Sequence, residues 1–108
     1  MSEQSAPRRK YKALGDELLR AIGDKRQSEI AHHLYVTQPA VANWLSGKCR
    51  PDPGNLGQII AVLQRPYAYL EYVADLAGYA GDHDPNAWDK VLHAYTDKLR
   101  LLGGKGLQ

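Results

Sequence analysis

The chain has 108 residues, 44% of them hydrophobic, and a formal net charge of +2 at pH 7. This length accommodates one domain, or one domain with an appendage, and the apolar fraction is sufficient for a folded core. The single cysteine, Cys49, excludes an intrachain disulfide framework and fits a reducing compartment. No apolar run approaches the roughly 18 residues of a membrane span, and the N-terminus lacks a signal-peptide apolar segment. We therefore expect a cytoplasmic protein that has no contact with the membrane.

The charge is distributed unevenly along the chain. Residues 1–65 contain ten Lys or Arg and six Asp or Glu, a net charge of +4, whereas residues 66–108 contain four and six, a net charge of −2. A positive segment suits binding to phosphate groups. A solvated basic face without any partner would have the same composition, so the charge alone favours nucleic acid only weakly.

The first residues predict a basic arm followed by a helix. Residues 1–12 are polar and without periodicity, and they include Arg8, Arg9 and Lys10. Such an arm either follows a DNA groove or serves as a solubilising tail, and the sequence leaves both interpretations open. Apolar residues spaced by four then predict a first helix that ends near Gly23: Leu14, Leu18 and Ile22.

The next segment predicts two short helices joined by a tight turn. Thr37 suits the N-cap of the second helix, and Gly47 suits the left-handed position that ends it. The apolar residues fall into two sets at helical spacing: Ile30, Ala31 and Leu34, then Val41, Trp44 and Leu45. Two short helices around a turn, with small Ala31 where their axes approach, form a helix-turn-helix.

This segment resembles the helix-turn-helix of the lambda-repressor-like (Cro/Xre) family of phage and bacterial regulators. The matching positions are the opening Gln27, Ala31 four residues on, Val36-Thr37 at the start of the recognition helix, Trp44, and the exit from Gly47 to Pro51. The resemblance covers about residues 13 to 64 and implies a prokaryotic or phage-encoded DNA-binding protein. The family prefers glycine in the turn, whereas this chain has Tyr35, for which we expect left-handed strain of about 1–2 kcal/mol. The letters VTQPAV also occur in LysR-type regulators, whose winged helix and effector domain do not fit in this length.

The helix after Thr37 carries the candidate DNA contacts. The side opposite its apolar residues leaves four candidate base-reading residues and possibly Ser46: Gln38, Pro39, Ala40 and Asn43. An amide can bond bidentately to adenine, and Pro39 or Ala40 can contact a thymine methyl group. The resemblance also implies base reading by Gln38, Pro39 and Asn43. It implies phosphate contacts for Gln27, Thr37, Lys48 and Arg50. The N-terminus of a fourth helix, near Asn55, would present free amides to a further phosphate.

Three further helices are predicted after the loop that follows Gly47. The fourth helix has Leu56, Ile59, Ile60 and Leu63 on one face. The fifth runs from Pro66 to about Gly78 and has two apolar stripes, which are Leu70, Val73 and Ala77, and Tyr69, Tyr72 and Leu76. Its second stripe predicts a second neighbour, and the last helix is the candidate. That helix starts at Asp84-Pro85, stops at Gly103-Gly104 and carries a heptad seam: Trp88, Leu92, Tyr95, Leu99 and Leu102. We expect self-association through this seam, with intramolecular core as the alternative.

No pattern in the chain predicts catalysis or a cofactor. His32, His33 and Cys49 lack the spacing of zinc ligands, and no phosphate loop or catalytic Ser/His/Asp grouping occurs. We expect neither metal nor cofactor, and not an enzyme.

Together these patterns predict an all-α fold with a five-helix lambda-repressor-like helix-turn-helix core and one extra C-terminal helix. The predicted parts are a basic arm (1–12), a DNA-binding domain (13–64) and a C-terminal helical region for dimerisation (65–108). The expected function is a sequence-specific transcriptional regulator of double-stranded DNA, a repressor that binds a pseudo-palindromic operator as a homodimer. The alternative is a protein-interaction module, such as an antitoxin or a phage-encoded modulator, which binds a partner protein through its C-terminal helices.

Overall fold

The computed structural model describes residues 10–23 and 26–103. These ranges form six helices and no strand: α1 Lys12–Ile22, α2 Gln27–Leu34, α3 Gln38–Leu45, α4 Pro53–Val62, α5 Tyr67–Ala77 and α6 Pro85–Leu101. The all-α prediction is confirmed. Within the same ranges, no helix is long and apolar enough to cross a membrane.

Local signals determine where the helices begin and end. Thr37 and Asp84 each accept the backbone N–H of the residue three positions on, at 3.2 and 3.1 Å, which confirms both as N-caps of α3 and α6. Glycines at φ between 77° and 84° follow the ends of four helices: Gly23, Gly47, Gly78 and Gly103. These are the predicted stops, since glycine takes the left-handed conformation without steric cost.

All six helices contribute to one hydrophobic core. Helix α4 lies at its centre and is buried on several sides: Leu56, Gly57, Ile59, Ile60, Ala61 and Val62 are all buried, whereas Leu63 is only partly so. The single apolar face predicted for α4 therefore accounts for only part of its buried surface, which also includes Gly57, Ala61 and Val62. The C-terminal region predicted as residues 65–108 shares its core with residues 13–64, because α5 and α6 pack on the helices before them.

Helix α6 packs along α4 in the most extensive helix contact among the described residues. Gly57 lies at the crossing, where an added Cβ would overlap the backbone carbonyl of Val91 and lie 2.9 Å from the nitrogen of Tyr95. The Tyr95 hydroxyl donates to the Arg65 carbonyl oxygen at 2.8 Å. The backbones of α4 and α6 therefore approach each other closely at Gly57.

This packing places a large part of the α6 seam against the chain's own core. Tyr95 is buried in the chain's own core, and three other seam residues pack partly against that core: Trp88, Leu92 and Leu99. Leu102 is half-buried. A heptad pattern has the same spacing whether its partner helix belongs to the same chain or to another. The seam is to a large extent intramolecular, which is the alternative that the sequence left open.

Helix α5 packs more extensively against α1 than against the predicted last helix, which it meets where the Tyr67 ring contacts the Trp88 ring at 6.0 Å. Leu70, Val73 and Ala77 are buried as the first stripe predicted. On the second stripe, the Tyr69 hydroxyl donates to Glu17 Oε2 of α1 at 2.6 Å. This hydrogen bond lowers the pKa of the Glu17 carboxyl, because it stabilises the charged form.

Candidate nucleic-acid interface

Helix α3 is anchored on one side by apolar contacts. Val41, Trp44 and Leu45 are at most 6% exposed. Helix α1 crosses close to the end of α3, because a Cβ on Gly15 would lie 2.8 Å from the Leu45 carbonyl oxygen and 2.7 Å from the Gly47 nitrogen. The orientation of α3 is therefore determined by side chains and backbone contacts that leave its opposite face uncovered.

The uncovered face of α3 contains most of the predicted base-reading residues. Gln38 and Pro39 are exposed and Asn43 is half-buried. Within the described ranges, neither side-chain amide has a hydrogen-bond partner. Ala40 instead packs partly against the core, and Ala42 is exposed in its place. Ala42 was not among the predicted base-reading residues, although it follows Gln38 by four residues and helical spacing places it on this face.

The turn before α3 adopts the conformation expected for its non-glycine residue. Tyr35 has φ 57° and ψ 41°, in the left-handed region. Two backbone hydrogen bonds fix the turn: Tyr35 N–H donates to the His32 carbonyl at 3.3 Å and Val36 N–H to the Ala31 carbonyl at 3.0 Å. Tyr35 has 91% of its surface exposed. The first residue of α2 is Gln27, as predicted, and it is half-buried.

The start of the described chain lies against the C-terminal end of α3. The Tyr11 N–H donates to the Gly47 carbonyl at 3.2 Å. Lys10 and Lys48 are exposed near this point, while the ammonium of Lys12 pairs with Asp16 at 3.1 Å. Of the predicted arm, Arg8 and Arg9 lie outside the described residues, whereas Lys10 lies beside the ring of Tyr11 at this end of α3.

Arg50 occupies a different place from the one that the resemblance implied. Its guanidinium carbon lies 4.5 Å from the ring centroid of Tyr79 and 5.3 Å from that of Tyr11. It also donates a hydrogen bond to the Ala77 carbonyl oxygen at the end of α5. Arg50 thus caps α5 and stacks between two aromatic rings. These contacts engage the guanidinium to which the resemblance assigned a phosphate, and the sequence did not predict them because Tyr79 lies far from Arg50 along the chain.

The expected phosphate site at Asn55 is also corrected. Helix α4 begins at Pro53, two residues before Asn55, and Asp52 is its N-cap. The Asn55 N–H donates to Asp52 Oδ1 at 2.8 Å. A carboxylate already satisfies this amide, and its negative charge repels a phosphate at the same position.

The remaining surface offers no metal centre within the described residues, where no three His, Cys, Asp or Glu side chains are grouped to share an ion. Comparison with protein-family models, with curated proteins and with solved structures gives no match to this chain.

Proposed function

We propose that the protein is a sequence-specific regulator of transcription that places α3 in the major groove of double-stranded DNA. One observation carries the proposal: α3 is anchored through one face, while its other face holds exposed Gln38, Pro39 and Ala42 and half-buried Asn43, with both amides free of partners in the described ranges. The major groove admits one helix and offers a distinct set of donors and acceptors for each base pair. Amides in this position can bond adenine bidentately.

The arrangement of α2 and α3 supports a lambda-repressor-like helix-turn-helix. The two helices have eight residues each and are separated by Tyr35, Val36 and Thr37. Ala31 of α2 and Val41 of α3 are both buried in the core, and the two helices pack on each other. In helix-turn-helix proteins, the first helix crosses the DNA backbone while the N-terminal residues of the second contact base edges. In the proposed complex, Gln38 and Pro39 are the residues that enter the groove first.

Phosphate contacts in the proposed complex come from both ends of α3. At the N-terminal end, the hydroxyl of exposed Thr37 accepts the Ala40 N–H and keeps its own proton for a phosphate oxygen. Gln27 opens α2 on the neighbouring surface. At the C-terminal end, exposed Lys48 supplies a positive charge, with Lys10 and the arm residues before it. These contacts give affinity without sequence information.

We propose that the protein acts as a homodimer on a pseudo-palindromic operator, and as a repressor by blocking access to the promoter. One recognition helix makes few base contacts, and two-fold pairing sets two such helices about 34 Å apart. Because Tyr95 is buried, the surface left for pairing is the outer edge of α6. There Trp88, Leu92 and Leu99 remain partly exposed, and Leu101 is 80% exposed.

A pair of substitutions tests the assignment of α3. Asn43→Ala should weaken binding to the preferred duplex by about 1–3 kcal/mol and leave non-specific affinity almost unchanged. Lys48→Ala should weaken binding to all duplexes alike and lower the log–log salt slope by about one unit per bound chain. Asn86→Ala at the exposed start of α6 is the matched control and should change neither. Equal losses of specific and non-specific binding in Asn43→Ala would contradict the proposed orientation of α3.

One observation favours the alternative of a protein-interaction module. A cavity of about 400 Å3 lies between α5 and the start of α6, with three carboxylates and an indole in its lining: Glu71, Asp75, Asp82 and Trp88. The Tyr67 ring contacts the Trp88 ring at 6.0 Å and is 47% exposed. Such a surface suits a basic segment of a partner protein. This alternative predicts that the purified protein does not bind double-stranded DNA at low salt, whereas the DNA-binding proposal predicts that it does.

A further inference from the structure

Tyr35 differs from every other tyrosine of the chain. The chain contains seven tyrosines, all within the described ranges, and six of them have a ring or hydroxyl partner inside the protein: Tyr11, Tyr67, Tyr69, Tyr72, Tyr79 and Tyr95. Tyr35 has no such partner among the described residues and is 91% exposed. A ring in full contact with water adds little to the stability of the fold.

The left-handed backbone conformation at Tyr35 lowers the stability of the fold relative to a glycine at this position. Its φ of 57° lies in the region that glycine and asparagine adopt with least strain. Packing does not compensate for this strain, because the side chain is exposed. Strained backbone conformations that persist without a packing reason cluster at binding sites. Neither the core nor the turn therefore explains why a tyrosine occupies this position.

The position of Tyr35 supplies a reason. Two backbone hydrogen bonds fix the turn, and Thr37, two residues further on, caps α3. Tyr35 thus lies two residues before the N-cap of the helix whose first residues are proposed to reach the bases, with its ring open to solvent. The chain just before such a helix lies beside the phosphates that border the groove. A tyrosine side chain ends in a neutral hydroxyl donor and is long enough to reach a phosphate oxygen beside the turn.

We infer that Tyr35 contacts the DNA backbone, with its hydroxyl donating a hydrogen bond to a phosphate oxygen at the edge of the major groove. This inference rests on the proposed function and adds a contact outside α3. The side chain is neutral, so the contact contributes affinity without displacing a counterion. That property separates Tyr35 from Lys48, whose charge acts through the salt dependence of binding.

The test compares three full-length variants on two duplexes, one preferred by the wild-type protein and one unrelated. Tyr35→Phe removes only the hydroxyl and should weaken binding to both duplexes by about 3- to 10-fold, with an unchanged salt slope. Tyr35→Asn should weaken binding at least as much, while its midpoint of thermal unfolding equals or exceeds that of the wild type, because asparagine relieves the strain. Tyr72→Phe on α5, where the tyrosine is 50% exposed, is the matched control and should bind as the wild type does.

Three results would overturn the inference, and they are distinguishable. Wild-type affinity in Tyr35→Phe, together with weakened binding by Lys48→Ala, would remove Tyr35 from the interface and leave the DNA-binding proposal intact. Absence of duplex binding by the wild-type protein itself would overturn both. A salt slope lowered by Tyr35→Phe would also contradict a neutral contact.

Discussion

Gly57→Ala probes the contact that joins the C-terminal helix to the core. A methyl group at this position would overlap the Val91 carbonyl oxygen and lie 3.0 Å from the Cβ of Ala94. Two of its three nearest neighbours are backbone atoms of α6, which cannot rotate away. Over-packing of this kind costs about 1–3 kcal/mol. Replacing glycine by alanine within a helix returns about 1 kcal/mol. Because the clash is with backbone, we expect a net loss of about 1–2 kcal/mol in the free energy of unfolding.

Gly54→Ala is the matched control for this prediction. Gly54 lies in the same helix, α4, and an added Cβ there would have only Asp52 Oδ1 as a neighbour, at 3.8 Å. The same substitution should therefore stabilise the protein by a few tenths of a kcal/mol to about 1 kcal/mol. Urea unfolding followed by far-ultraviolet circular dichroism measures both variants under one condition. If Gly57→Ala is as stable as Gly54→Ala, α6 does not pack on α4 as described, and the α6 seam is again available for an interface between copies.

Three further substitutions test individual contacts. Arg50→Ala should lower the free energy of unfolding by about 1–3 kcal/mol and leave the salt slope of DNA binding unchanged, whereas a lowered slope with intact stability would restore Arg50 to the phosphate contacts. Tyr69→Phe should cost about 1–2 kcal/mol near pH 7. The pKa of Glu17 is lowered from its ordinary 4.5 in the folded state. The stabilisation from the charged Glu17 carboxyl is therefore present above that value and lost as the pH falls through the lowered pKa, so the cost of Tyr69→Phe in urea unfolding should become smaller at acidic pH, and a cost that does not change with pH would contradict the assignment. Leu92→Asp with Leu99→Asp should destabilise the fold, as judged by circular dichroism, because both leucines pack partly on the core; a double variant that stays folded and becomes monomeric in sedimentation would show that they act in pairing alone.

The parts of the fold that depend on residues close together in the sequence could be predicted. Thr37 and Asp84 cap helices because a short polar side chain reaches an amide three residues on, and this geometry needs no tertiary contact. Gly47 ends α3 partly for a local reason, its φ of 80°, although a Cβ there would also lie 2.7 Å from the Cα of Lys12. The uncovered face of α3 followed from helical spacing alone, apart from the exchange of Ala40 for Ala42.

The parts that depend on distant residues could not be predicted in the same way. Arg50 meets the Ala77 carbonyl 27 residues further along the chain, and no local pattern identifies that pair. Gly57 carried a usable signal, because a glycine inside an apolar helix costs about 1 kcal/mol and calls for a close neighbour. The same argument applies to Gly15 in α1, against which the end of α3 packs. The heptad seam of α6 was visible, but its spacing does not distinguish a partner in the same chain from one in another chain.

Selection of duplexes from a random pool by the full-length protein tests the central claim most directly. The proposed function predicts that selection enriches one sequence with two-fold symmetry, whose half-sites have centres about 10 base pairs apart. It also predicts that the same selection with Asn43→Ala relaxes the preference at one base pair of each half-site, while Asn86→Ala gives the wild-type sequence. A pool that remains unenriched at low salt, or an enriched sequence that Asn43→Ala leaves unchanged, would contradict base reading by α3.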